Sequence, residues 1–523
     1  MLAKVRSAAV IGIDAYPVDV EIDLANGLPS FSTVGLPHGA VKEGRERVSA
    51  ALANSGFAFP LKRITANLAP ADVPKAGSAF DLPIAIGVLV ASGQLDIPDL
   101  NQGFAFGELG LEGSLRPVRG TLSLVGCARS LGARWVLVPL ANRAEAALVD
   151  GIVVLAAPSL RAIADHFLGR VPLPSGSVRQ PSAPGGAETV DFGEVRGQLV
   201  AKRALEVAAA GGHNLLMVGP PGGGKTMLAR RLPTILPAMS AAEAIEVTKV
   251  YSVAGLGGSD GILRANRPFR APHHTVSDAG MAGGGSHSRP GEVSLAHRGV
   301  LFLDELPEFR RNVLETLRQP LEDGIVTIAR ARVTVTYPAR IMLIAAMNPC
   351  PCGYFGDAAR ECQCSAEVRR RYRSRVSGPL YDRIDLHCQV LGVPWPELAD
   401  GDPGESSAAM ATRVRSARDR QQFRFSGAGS AAVNAALSGR DVERWCAPDG
   451  EGRRLLGLAM VRLGLSARAY VRVLKVARTI ADLEGEDRVR AVHVAEAVQY
   501  RGLDRAIRGP SNSPPIGVGS PPA

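Results

Sequence analysis

Gly219-Pro220-Pro221-Gly222-Gly223-Gly224-Lys225-Thr226 is the stretch around which this chain folds. It follows an apolar run at residues 215–218 and opens a helical segment at 227–232. A strand, a glycine-rich turn and a helix beginning at Lys-Thr form a P-loop, whose backbone N–H groups cradle phosphate at the positive end of the helix dipole. Lys225 is predicted to contact the β- and γ-phosphates and Thr226 to bind Mg²⁺. We therefore expect a parallel α/β sheet that binds ATP and Mg²⁺.

Two further apolar runs end in polar residues that suit the same site. Residues 300–303 end in Asp304-Glu305, and residues 341–346 end in Met347-Asn348. Asp304 is predicted to support Mg²⁺ and Glu305 to polarise the attacking water. Asn348 is predicted to hold that water near the γ-phosphate. The alternatives are an acidic N-cap for the pair and a turn residue before Pro349 for the amide.

The amino-acid composition limits how many domains the chain can form, where it is located and what kind of partner it binds. The chain has 523 residues, 46% hydrophobic and 21% charged, which suits about three folded domains. No apolar run reaches the ~18 residues of a membrane span, and the N-terminus has no secretory pattern, so we expect a cytoplasmic protein. A net charge of +10 favours an anionic partner such as nucleic acid. The seven cysteines do not suggest a disulfide framework.

The order of patterns predicts four parts and a tail. Residues 1–170 are mixed α/β, and residues 171–189, rich in Pro, Gly and Ser, form a linker. Residues 190–400 carry the P-loop domain. Residues 401–507 are predicted to be helical, and the Pro/Gly/Ser-rich residues 508–523 to be disordered.

The first part resembles the Lon-protease-like (ribosomal S5 domain 2-like) α+β domain, through residues 34–37, 74–83 and the predicted hairpin at 107–118. In this resemblance the Lon nucleophilic serine falls on Ala79 and the Lon lysine on Leu122. Neither residue can act as nucleophile or base. Ser78 and Lys75 lie nearby, but Ser78 would lack its base. We therefore do not expect a protease.

The rest resembles the Mg-chelatase-like AAA+ ATPases of the ComM/YifB family. The carrying stretches are residues 267–275, 290–297, 303–309, 377–385 and 465–470. Tyr381 stands where the family more often has Leu. The resemblance implies a Lon-like domain, an AAA+ core and a helical lid, assembled as a hexameric ATP-driven motor that promotes DNA branch migration. It assigns Arg383 as an arginine finger for the neighbouring subunit and Arg468 as the sensor 2 arginine.

One other kind of motor remains open as an interpretation. A chelatase motor that inserts a metal ion into a tetrapyrrole shares the AAA+ core. The Lon-like front domain favours the ComM-type architecture instead. The choice between single-stranded and branched DNA is also open.

A hairpin with a basic tip is predicted between the second and third site strands. Residues 324–328 and 333–337 flank Arg330 and Arg332. In a ring channel these arginines could grip a phosphate backbone. The alternative is a solvated surface hairpin.

Four cysteines form two C-x-C pairs, Cys350 with Cys352 and Cys362 with Cys364. Paired thiolates can supply a tetrahedral zinc site, and the alternative is four reduced thiols. His273 and His274 lack the acidic spacing of a metal motif and are interpreted as loop residues at an interface or pore.

Overall fold

The computed structural model describes residues 1–503 apart from 38, 74, 76, 175–189, 258–262, 286–288, 330–333, 358–359, 394–403 and 427–432. The predicted tail and most of the predicted linker lie outside the described residues. The four-part division of the chain stays a prediction. No described helix is long and apolar enough to cross a membrane.

The N-terminal part is a mixed sheet with helices packed on it. Its seven strands run in the order β3-β4-β2-β1-β5-β8-β9, with a separate β6-β7 hairpin. The strands are β1 (Leu2–Ile11), β2 (Asp14–Ala25), β3 (Ser30–Val34), β4 (Arg63–Ala69), β5 (Gly103–Ala105), β6 (Glu108–Leu109), β7 (Leu115–Arg116), β8 (Trp135–Pro139) and β9 (Val153–Ala157). The helices are α1 (Ala40–Asn54), α2 (Asp81–Ala91), α3 (Thr121–Ser130), α4 (Arg143–Ala146) and α5 (Leu160–Phe167).

These elements agree with the α+β fold predicted for this part. The alternation at residues 18–24 becomes β2, whose Val18, Val20 and Ile22 are buried. The apolar helix predicted at 82–92 is α2, almost entirely buried against the sheet. The predicted hairpin is confirmed by the antiparallel pairing of Glu108 with Arg116.

The P-loop part is a five-stranded parallel sheet in the order β11-β14-β17-β10-β18. The strands of the sheet are β10 (Leu215–Val218), β11 (Phe269–Arg270), β14 (Val300–Leu303), β17 (Met342–Met347) and β18 (Leu386–Gln389). Two small hairpins are formed by β12 (Gly283–Gly284) with β13 (Arg289–Pro290) and by β15 (Ile325–Ala329) with β16 (Thr334–Pro338). Its helices are α6 (Leu199–Gly211), α7 (Lys225–Arg231), α8 (Ala241–Ala254), α9 (Asp278–Ala282), α10 (Glu292–Leu295), α11 (Arg311–Glu315), α12 (Arg318–Asp323), α13 (Ala366–Arg373) and α14 (Gly378–Tyr381).

The register of this sheet brings the strand ends together. β10, β14 and β17 are buried along their whole length, as central parallel strands covered on both faces must be. Val218 pairs with Met347, and Leu303 pairs with Ala345. The residues that follow these three strands therefore meet at the carboxyl edge of the sheet, where ligands bind in open α/β folds.

The C-terminal part is helical, as predicted. Its helices are α15 (Ser407–Phe425), α16 (Gly439–Trp445), α17 (Gly450–Leu463), α18 (Ala467–Leu483) and α19 (Ala491–Gln499). One continuous hydrophobic core joins them to the sheet, with Val414 of α15 and Val473 of α18 packing in the same cluster as Leu205 of α6. At the amino edge of the sheet, His213 Nε2 lies 2.8 Å from Thr479 Oγ1 of α18.

Candidate nucleotide site

The P-loop turn is shaped by close backbone approach. Gly224 has φ +85°, in the left-handed region, and directly precedes α7. A Cβ at Gly219 would lie 2.0 Å from the Val390 carbonyl oxygen, so a larger residue would displace the loop. The turn thus places backbone N–H groups at the start of a helix, which is the geometry that holds phosphate.

Lys225 folds back onto this loop. Its Nζ donates hydrogen bonds to the carbonyl oxygens of Gly219 and Pro220, each at 2.8 Å, and to Asn348 Oδ1 at 3.1 Å. Burial lowers the pKa of Lys225, opposed by the nearby carboxylates of Asp304 and Glu305. A cation held only by neutral oxygens beside a phosphate loop fits a phosphate ligand.

The proposed magnesium ligands also meet. Thr226 Oγ1 donates to Asp304 Oδ2 at 2.6 Å. A hydroxyl and a carboxylate are the hard oxygen ligands that Mg²⁺ prefers. The structure therefore brings Lys225, Thr226, Asp304 and Asn348 to one place from three separate segments.

Glu305 follows Asp304 and takes an unusual backbone conformation. Its φ is +53° although it is not glycine, and its side chain is 57% exposed. Such a conformation is often retained at functional positions because it aims a side chain. The Glu305 carboxylate lies close enough to Lys225 for its charge to oppose the lowering of the lysine pKa.

The sequence did not assign His274 to the nucleotide site, and it was interpreted only as a loop residue at an interface or pore. His274 Nδ1 lies 3.3 Å from Glu305 Oε2, and its ring meets Phe309 edge-on and lies against His273. His274 follows the edge strand β11, which pairs with β14, and this pairing carries it to the carboxyl edge. In the sequence, only the adjacent pair His273 and His274 marked the position, and that pair has no specific meaning by itself.

Arg383 lies at the amino-terminal ends of the parallel strands, opposite to the carboxyl ends that carry the phosphate loop. It precedes β18, whose Leu386 pairs with Leu215 and whose Gln389 pairs with Val218. A four-residue strand, about 13 Å long, thus separates it from the P-loop. Its side chain is 6% exposed, donates to the Pro379 carbonyl oxygen at 2.8 Å and forms an ion pair with Glu322.

Arg468 is exposed in the first turn of α18. Arg472, one turn further along the helix, forms an ion pair with the buried Asp385, two residues beyond Arg383. The pKa of Asp385 is lowered despite its burial, chiefly by the Arg472 charge and the hydrogen bond to His213. α18 thus begins at the amino edge, the same edge that carries Arg383.

The cysteine pairs converge after β17. All four Sγ atoms of Cys350, Cys352, Cys362 and Cys364 lie within 4.8 Å of one another. The Sγ of Cys350 is 3.3 Å from that of Cys352 and 3.7 Å from that of Cys362. None of the four is in a disulfide. Their spacing in the sequence correctly predicted that they would cluster.

The basic hairpin is only partly described. Its strands β15 and β16 pair in the predicted antiparallel way, Ile325 with Pro338 and Ala329 with Thr334. Arg330 and Arg332 lie outside the described residues. β15 also contacts the segment that carries His274, because a Cβ at Gly283 would lie 2.9 Å from Ile328 Cδ1.

The positions aligned with the Lon catalytic pair serve the fold. The Ala79 carbonyl oxygen accepts from the Gly107 backbone N–H at 3.0 Å. Leu122 is 2% exposed in the core of the N-terminal part. The Ser78 hydroxyl is hydrogen-bonded to the Glu108 carboxylate, and the Lys75 side chain is fully buried.

Comparison with known proteins extends over nearly the whole chain. Family models match residues 20–142 (subunit ChlI of Mg-chelatase), 191–398 (magnesium chelatase, subunit ChlI) and 404–501 (its C-terminal region). An uncharacterized protein YifB of Salmonella typhimurium is 44% identical over 510 residues, 97% of this chain and 98% of the relative. The competence protein ComM of Haemophilus influenzae is 45% identical over 518 residues, 98% of this chain and 99% of the relative.

The magnesium-chelatase 38 kDa subunit of Rhodobacter capsulatus is a more distant relative, 28% identical over 189 residues, 32% of this chain and 54% of that subunit. The parallel sheet, the phosphate loop and these matches define a magnesium-chelatase-like AAA+ protein, a class that implies ATP and Mg²⁺. Within that class, the chain belongs to the ComM/YifB family.

Proposed function

We propose that this protein hydrolyses ATP as a homo-hexameric ring in the cytoplasm and uses the energy to move DNA, as a branch-migration helicase. The observation that carries the proposal is the meeting of Lys225, Thr226, Asp304 and Asn348, with Glu305 beside them. Bound ATP would supply the phosphoanhydride bond that is broken, and Mg²⁺ would offset the negative charge of its phosphates. Lys225 would hold the phosphates, and Thr226 with Asp304 would hold the metal ion. Glu305 would orient and polarise water, assisted by Asn348.

The position of Arg383 supports a ring. Arg383 lies a strand length of about 13 Å from the phosphate loop of its own chain, and we propose that it serves the site of a neighbouring subunit instead. Arg468 lies in the first turn of α18, which the ion pair of Arg472 with Asp385 anchors at the same end of the strands, and we propose that it serves the same neighbour. An arginine supplied in trans stabilises transition-state charge, so hydrolysis would require assembly.

DNA is proposed as the substrate on three grounds. The net charge is +10. The β15–β16 hairpin brackets Arg330 and Arg332, which could contact phosphates in a channel. The competence protein ComM covers nearly the same length of chain. Together these favour a polyanion that passes through the ring.

The test uses a labelled four-way DNA junction with the full-length protein. DNA should stimulate ATP hydrolysis, and the junction should be resolved into branch-migrated duplexes only with ATP. If active ATPase neither binds the junction nor is stimulated by it, DNA is not the substrate.

A metal-insertion motor is the second candidate, favoured by the similarity to the magnesium-chelatase 38 kDa subunit. That similarity covers only 32% of this chain. ATP-dependent insertion of Mg²⁺ into a porphyrin with partner chelatase subunits would support this candidate over the first.

We also propose that the cysteine cluster holds zinc. A tetrahedron with Zn–S bonds of ~2.3 Å has sulfur–sulfur edges of ~3.8 Å. The observed separations between Cys350, Cys352 and Cys362 run from 3.3 to 3.7 Å, close to that edge. Metal analysis of protein purified without chelator should give about one zinc ion per chain.

A further inference from the structure

The cysteine cluster is attached directly to the nucleotide site. Cys350 comes two residues after Asn348, whose Oδ1 accepts from Lys225. A Cβ added at Gly353, between the two cysteine pairs, would lie 2.5 Å from Pro221 Cδ in the P-loop. The cysteine loop therefore contacts the nucleotide loop through its backbone, with no room for a side chain between them.

The other side of the cysteine loop is held by α13. Arg373 donates to the Pro349 carbonyl oxygen at 3.3 Å, and Arg369 donates to the Cys364 carbonyl oxygen at 2.6 Å. The guanidinium groups of these arginines lie 5.3 and 4.3 Å from the centre of the Phe355 ring. The loop is thus enclosed between the P-loop and a helix.

The loop has little regular structure of its own. In its described part, residues 349–357 and 360–365, there is neither helix nor strand. Ordering such a segment costs conformational entropy, which a metal cross-link between four thiolates offsets. Without the cross-link, the contact between Gly353 and Pro221 and the placement of Asn348 would be held much less firmly.

We propose that the metal-bound cysteine loop is a brace for the nucleotide site, so that loading of the four thiols with zinc sets the affinity for ATP. The proposal rests on the proposed zinc site and ATP site. The zinc ion itself would take no part in ATP hydrolysis. Its role is to hold Asn348 and the P-loop in the geometry that phosphate requires.

The first experiment compares the full-length protein as purified, after chelator and after zinc is restored. Zinc content is measured by mass spectrometry, ATP affinity with a fluorescent ATP analogue, and fold by circular dichroism. We expect depletion to weaken ATP binding about tenfold or more while the helix signal is kept, and zinc to restore it. Depleted protein that retains its fold and binds ATP within twofold of the loaded form would overturn the proposal.

A pair of glycine variants separates the brace from metal binding. Gly353→Ala keeps all four thiols but places a methyl group against Pro221, so we expect full zinc content with weakened ATP binding. Gly132→Ala is the matched control, because Gly132 has φ +74° and nothing within 4 Å of its Cβ position. Equal ATP affinities in the two variants would contradict the brace.

Cysteine variants provide an independent check. Cys352→Ser should lose zinc and ATP affinity together, whereas Cys127→Ser, outside the cluster, should change neither. Protein that binds ATP tightly yet takes up no zinc would overturn this inference and leave the ATPase proposal intact. If wild-type protein fully loaded with zinc does not bind ATP, the ATPase proposal itself is contradicted.

Discussion

His274 Nδ1 lies 3.3 Å from Glu305 Oε2, so the side chain proposed to polarise water contacts a residue in the loop that follows the neighbouring strand β11. The segment that carries His274 continues to Gly283, which touches Ile328 of the basic hairpin. A contiguous path of contacts therefore runs from the proposed DNA-binding hairpin to the proposed catalytic carboxylate.

His274→Ala should release Glu305 and raise ATP hydrolysis in the absence of DNA. The loss of one charge-assisted contact corresponds to a change of about 2- to 10-fold. The measurement is phosphate release with and without DNA, and the ratio of the two rates should fall. His274→Gln, which can still donate to Glu305, should restore the ratio. A parallel fall of both rates in His274→Ala would indicate a purely structural role.

Lys225→Ala should abolish ATP binding, because it removes the only cation seen within the phosphate loop. Glu305→Gln should bind ATP normally and turn over about 10² to 10³ times more slowly, since an amide cannot accept a proton from water. Fluorescent-ATP binding and phosphate release distinguish the two. Glu308→Gln, a nearby acid paired with Arg375, is the control that should keep turnover. Wild-type turnover in either of the first two variants would refute its assigned role.

Arg383→Ala should bind ATP but hydrolyse it at least about 10³ times more slowly, as expected for an arginine finger. The decisive measurement mixes it with Lys225→Ala subunits. Each variant alone should be inactive, but in a mixture a Lys225→Ala subunit should supply Arg383 to the intact phosphate loop of its neighbour. Partial recovery of hydrolysis on mixing is expected. A mixture as inactive as its components would limit Arg383 to its ion pair with Glu322.

Arg330→Ala with Arg332→Ala should weaken DNA binding and reduce its salt dependence, while ATP hydrolysis without DNA is kept. Removing two phosphate contacts should lower the slope of log affinity against log salt by about 1.4 to 1.8. The matched control is Arg161→Ala with Arg170→Ala, two exposed arginines in the N-terminal part that carry the same total charge. Equal slopes in the two double variants would exclude the hairpin from the DNA contact.

His297→Gln should make stability less dependent on pH. Burial lowers the pKa of His297 from 6.5 to about 4, although a hydrogen bond to Glu246 opposes the shift. The unfolded chain therefore binds a proton more readily, and stability present above pH 6.5 is lost as pH falls towards 4, about 2 kcal/mol of it by pH 5. Melting temperatures at pH 7 and pH 5 should differ less in the variant. An unchanged difference would mean that other groups control the acid sensitivity.

Local patterns were enough to predict most of the fold. The P-loop, the apolar strands that end at Asp304 and Asn348, the alternating β2 and the helical C-terminal part all depend on neighbours in the sequence. Fully apolar runs also indicated a central parallel sheet, and that sheet carries the three site segments to one edge. The clustering of the cysteines was predicted in the same way, because the two pairs lie within fifteen residues of chain.

The sequence by itself determined the phosphate loop, the acidic pair, the asparagine proposed as a sensor and the cysteine pairs, because each is a short pattern whose chemistry is carried by adjacent residues. Only the tertiary structure decided which distant groups meet them. Sheet order carried His274 to Glu305, strand register put Arg383 at the edge away from its own phosphate loop, and close backbone packing brought Gly353 against Pro221. Such contacts depend on the pairing of segments far apart in the chain, which no local pattern records.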